Sequence, residues 1–117
     1  MAEKVPLTFD QRVRKEELRL ERLIRKVEET KQKTALGLVR RAAFMKVKLE
    51  DLEADIAKNG LTEEFSQGDQ EPYLRERPTS KIYNQMNNSY QKIIKQLTDL
   101  LPKEEGPKKG GDPFDEF

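Results

Sequence analysis

A chain of 117 residues holds one domain, and with 34% apolar against 38% charged side chains it has too little apolar material for a round core, so an elongated shape is expected. Basic and acidic residues nearly cancel to a net +1, which excludes a whole-molecule pull toward nucleic acid or membrane and leaves any such role to local charge arrangement. The absence of cysteine and histidine excludes disulfides, thiolate and imidazole chemistry, and the two commonest zinc ligands.

Residues 1–9 carry no basic-then-apolar leader, and no run approaches the ~18 apolar residues that span a bilayer. A soluble, cytoplasmic protein without membrane contact is expected. Thr8 followed by Gln11 has capping-box spacing, no proline interrupts the chain from there to Lys58, and Gly60 after Asn59 supplies a left-handed stop. Within this span Val13, Leu20, Ile24 and Val27, then Leu38, Ala42, Met45, Leu49, Leu52 and Ile56, recur at three-four spacing and share one helical phase. That phase predicts one long helix over 9–58, about 75 Å at 1.5 Å per residue. Lys31 and Thr34 fall on the stripe and Gly37 costs ~1 kcal/mol against alanine, so a kink or break near Gly37 is the alternative.

The segment 60–78 is an acidic connector with turn chemistry at Ser66, Gln67, Gly68 and Asp69. Its flanks, 61–65 and 73–75, form either a short β-hairpin or an irregular loop. Pro78 holds the residue before it extended, and Thr79 or Ser80 can cap a second helix over 79–101. Ile82, Met86, Tyr90, Ile93, Leu97 and Leu100 give that helix an apolar stripe, which stops at Pro102. From 103 to 117, Pro, Gly and charge leave little to bury, so a disordered tail is expected; Phe114 and Phe117 stand there among acids and are candidates for docking on a partner. The fold class is therefore all-α, a single helical domain over 1–102 arranged as a helical hairpin.

No GxxxxGK[ST] phosphate loop occurs, and the carboxylates lie in charge-rich helix surface or in the connector, where they read as solvated. No catalytic residue, metal or cofactor is expected, and an enzyme is the least favoured class. The informative pattern is basic. Arg12, Lys15, Arg19, Arg22 and Lys26 recur at three-four spacing beside the apolar stripe, and Arg40 and Arg41 add charge further along. Such a row can lie along the phosphates of double-stranded DNA, gaining salt-dependent affinity by counterion release. The other reading is a solvated face paired with Glu16, Glu21, Glu28 and Glu29. A second helix of roughly 33 Å covers only part of the long one, which leaves Val13, Leu20, Ile24 and Val27 as a seam expected to pair with another copy. A break near Gly37 would instead fold the chain into a three-helix unit.

The run Ile56-Ala57-Lys58-Asn59-Gly60, the acidic connector with Phe65 and Tyr73, Arg77-Pro78-Thr79-Ser80-Lys81-Ile82-Tyr83-Asn84, the later Tyr90, and Lys95-Gln96-Leu97-Thr98-Asp99-Leu100-Leu101-Pro102-Lys103 together set up a likeness. This stretch, 56–103, resembles the small terminase subunits of tailed bacteriophages, in particular the type found in phages and prophages of Gram-positive bacteria. The resemblance implies a non-catalytic DNA-packaging factor, acting in the bacterial cytoplasm, that forms a homo-oligomer, engages viral DNA and brings in the large terminase subunit. It would oligomerise through its helices, touch phosphate with the basic stripe, and meet its partner through the tail. The rival class is a coiled-coil structural or adaptor protein that never touches nucleic acid.

Overall fold

The computed structural model describes residues 5–102 and 117. Thr8 caps helix α1 (Phe9–Leu23) by the reciprocal pair its spacing predicts: the Thr8 hydroxyl accepts from Gln11 N at 3.2 Å, and Gln11 Oε1 accepts from Thr8 N at 2.9 Å. The helix ends well before Gly37. Two short 3₁₀ turns, Ile24–Lys26 and Glu29–Lys31, lie either side of an extended Val27 (ψ 137°), and helix α2 (Gln32–Asn59) follows. The single helix expected over 9–58 is thus two helices, and Gly37 lies inside the second.

Neither Gly nor Pro marks this break. The Gln32 side chain ties it, its Nε2 donating to Val27 O at 2.7 Å and to Ile24 O at 3.0 Å, an oxygen that also accepts from Val27 N at 2.9 Å. Arg22 near the end of α1 and Glu29 ahead of α2 also suit the two helix dipoles. The driving force is burial. Leu20, Ile24 and Val27 are 0%, 1% and 4% exposed, packed with Ala35, Val39, Ala42 and Ala43 of α2 and with Ile94 and Leu97 further on. A straight helix would leave those three in water, at about 1.5–3 kcal/mol for each large side chain. The seam Val13, Leu20, Ile24 and Val27 is therefore internal, with Val13 half-buried at its edge, and the reason for pairing with another copy through it is removed.

Helix α2 is the central element, packed by α1 and by α3 (Pro78–Leu100). A helix covered on two sides buries more than one stripe: Ala35, Val39, Ala43 and Val47 are buried although they lie off the expected row, while Leu38, Met45, Leu52 and Ile56 on that row are only half-buried. The arrangement is a three-helix unit rather than a two-helix hairpin, and it is elongated, with extents of 65 × 42 × 28 Å.

Gly60, at φ 82°, ends α2 in a conformation that a side chain would strain. The connector then forms an antiparallel hairpin, β1 (Thr62–Phe65) and β2 (Tyr73–Glu76), in the register Glu63 opposite Arg75 and Phe65 opposite Tyr73. Arg75 bonds Glu63 at 3.0 Å and stacks over the Phe65 ring at 3.6 Å, and the Phe65 and Tyr73 rings meet edge-on at 5.8 Å. Such cross-strand pairs are what hold a hairpin this short. Pro78 takes the first position of α3, and no side chain caps that helix; Ser80, expected as a cap, instead donates to Leu61 O at 2.9 Å from a buried position. Arg77 ties the corner, donating to Asp55 Oδ2 at 2.9 Å and to Gly60 O at 2.6 Å. The expected disordered tail over 103–117 lies outside the described residues apart from Phe117, and Phe114 is among those not described. No helix among the described residues is long and apolar enough to cross a membrane.

Candidate nucleic-acid interface

Because α1 folds back along α2, its basic row faces a second helix rather than bulk water alone. An open groove of about 480 Å³ runs between them, lined by Leu7, Arg12, Lys15, Glu16, Arg19 and Arg22 from the α1 side and by Lys46, Val47 and Glu50 from α2. Four cations of the sequence-derived set meet there, Arg12, Lys15, Arg19 and Arg22. Lys46 joins them from α2 and leaves five basic groups against the carboxylates Glu16 and Glu50. Lys26 sits in the first 3₁₀ turn and does not line the groove. Arg40 and Arg41 are exposed beside Gly37, Phe44 and Met45 at a separate concavity of α2.

The groove is organised by Glu16, one of the carboxylates expected to be solvated. Glu16 is only 7% exposed; its Oε2 accepts from Lys46 Nζ at 3.0 Å and from Arg19 Nη2 at 3.1 Å, and Arg19 Nε bonds its other oxygen. Burial pushes the Glu16 carboxyl up, but the bonds from Arg19 and Lys46 outweigh it and hold the pKa below the usual carboxylate value. Arg12 is engaged with Asp51 Oδ1 at 2.7 Å, which anchors α1 to α2. Lys15 and Arg22 are exposed and make no ion pair among the described residues. The expected pairing of the whole row with neighbouring glutamates is therefore partial: Glu16 takes Arg19, whereas Glu21 is taken by Arg14, which lies outside the row.

Arg19 reaches beyond the groove as well, donating from Nη2 to the main-chain oxygen of Phe117 at 3.0 Å. Phe117, expected to be free for a partner, is half-buried against this chain's own core. The neighbouring Tyr90 is half-buried too; burial chiefly, and then the charge of Glu16, raise its pKa.

Lys46 and the buried state of Glu16 had no signal in the sequence. On a continuous helix the two lie about 45 Å apart along the axis, so only the break brings them together. Among the described residues no cluster of acidic side chains is placed to hold a metal ion. Chemically the groove offers two cations without an ion pair among the described residues, two more shared with a single carboxylate, and apolar lining at Leu7 and Val47. Comparison with known protein families, with curated proteins and with solved structures found no match.

Proposed function

We propose that this chain is a non-catalytic factor that binds the phosphate backbone of double-stranded DNA in the groove between α1 and α2. The observation that carries the reading is the convergence of Lys15, Arg19 and Arg22 with Lys46 on one open surface where Lys15 and Arg22 are exposed and make no ion pair among the described residues. From Arg12 to Arg22 the row extends about 15 Å, several phosphate steps at ~3.4 Å per nucleotide of one strand. Contacts of this kind position a protein on a duplex without reading its bases. Taken with the likeness of 56–103 to small terminase subunits, the role is that of a packaging factor that holds DNA for a large terminase subunit. Self-assembly in that role would use a surface other than the buried seam at Val13, Leu20, Ile24 and Val27.

The test is the double substitution Lys15→Glu with Arg22→Glu, read by mobility shift of a short duplex at about 50 mM salt. Two phosphate contacts per chain give a salt slope near −2. The variant should lose binding and keep its melting temperature, since neither side chain is buried or paired within the described structure. Equal binding by variant and parent, or no binding by the parent, removes this reading.

A second reading rests on a different surface. Leu61, Tyr73, Leu74 and Ile82, in and beside the hairpin, are 57%, 51%, 69% and 50% exposed. Apolar side chains held out on a scaffold suit a protein partner, as an adaptor without nucleic-acid contact requires. Substituting Leu74 and Ile82 with Asp separates the two readings, because DNA binding through the groove should survive it.

A further inference from the structure

Phe117 is half-buried against the core and, with Asn87, Tyr90, Gln91 and Ile94 of α3, lines an open cavity of about 450 Å³. Its main-chain oxygen is held by Arg19 of α1 at 3.0 Å. The cradle thus has three chemically distinct parts: an apolar floor at Ile94 and the Tyr90 ring, an amide rim at Asn87 and Gln91, and a guanidinium that fixes the backbone. That combination accepts an aromatic side chain carried on an extended segment. It suits an acidic segment in particular, because the charged group that reaches Phe117 is the guanidinium of Arg19. In the sequence Phe117 is preceded by Asp115 and Glu116.

Reach imposes no obstacle. A chain of the length that follows Leu100 can span at most on the order of 50 Å, whereas Ile94 sits only about 9 Å back along the helix axis. Lengthening a connection well beyond its minimum adds little closure entropy.

The geometry points to a docking site on α3, completed by Arg19, for a phenylalanine next to acidic residues, and its resident occupant is Phe117 of the same chain. This inference does not depend on DNA binding.

The experiment uses the full chain and its Phe117→Ala variant. Amide spectra of the two should differ at residues 87–94 and around Arg19, by the same amount at all protein concentrations. A fluorescent peptide of residues 110–117 should bind the vacated Phe117→Ala chain at least about tenfold more tightly than the parent, whose own tail competes. Adding Gln91→Glu, an exposed position, should weaken that peptide by like-charge repulsion without changing the melting temperature. Unchanged amides at 87–94, or equal peptide binding by both chains, would overturn the site. Amide differences that grow with protein concentration would place the tail on a second copy and overturn the intramolecular assignment.

Discussion

Lys46 Nζ lies 3.0 Å from Glu16 Oε2, so an ammonium of α2 and a buried carboxylate of α1 close the groove from opposite sides. The same carboxylate holds Arg19, and one negative charge therefore restrains two of the five cations at the surface proposed for DNA. Glu16→Gln should release Lys46, while Arg19 keeps its bond to the main-chain oxygen of Phe117. Duplex affinity at low salt should rise, with a salt slope steeper by up to about 1. Titrations of a labelled duplex at several salt concentrations check this, and weaker binding by a folded Glu16→Gln chain would contradict it.

The same residue sets an acid limit. The Glu16 carboxyl is held below its ordinary value in the folded chain, so its contribution is complete above about pH 4.3 and is lost as the pH falls through the depressed folded value. Unfolding curves for parent and Glu16→Gln should differ by about 1–3 kcal/mol near pH 7 and converge at strongly acidic pH. A gap that persists there would mean that Glu16 acts through packing alone.

Leu20 and Ile24 report on the break between α1 and α2. In the folded chain both are fully enclosed, so Leu20→Ala should cost about 2–5 kcal/mol, and Ile24→Asp should prevent folding. Denaturant unfolding with light scattering distinguishes this from a straight helix. On that alternative the substitutions would dissociate an oligomer and leave the chain folded.

Gly37 offers a clean test of α2. It lies inside the helix, and a Cβ built there meets nothing within 4 Å. Gly37→Ala should stabilise the chain by about 0.5–1 kcal/mol, seen as a raised melting temperature. A loss of stability would place a bend at Gly37 after all.

Gln32 closes the break by bonding two carbonyls, Ile24 O and Val27 O. Gln32→Ala should cost about 1–3 kcal/mol and speed amide hydrogen exchange chiefly over 24–31. Uniform acceleration across all three helices would show instead that the turn is not a separate unit.

Local rules read directly from the residues settled much of this protein. The capping pair at Thr8 and Gln11, the stop at Gly60, the turn chemistry around Gly68, and the extended residue before Pro78 each depend on a few neighbours, and each is found in place. Periodicity likewise placed most of the helical residues, because a helix face is set by spacing alone. A break was readable only as an alternative, and near Gly37 rather than at 24–31, for the opposite reason. The segment 24–31 contains neither Gly nor Pro, and the apolar residues on its two sides share one phase; what bends the chain is the burial of Leu20, Ile24 and Val27 against residues of α2 and α3, with Gln32 bonding Ile24 O and Val27 O across it. The basic row was legible, but the groove was not, since Lys46 and Glu16 meet only once that bend is made. Composition could describe the tail as polar, yet the seat of Phe117 depends on Arg19, Tyr90 and Ile94 coming to one surface from two helices, and that is decided by tertiary packing.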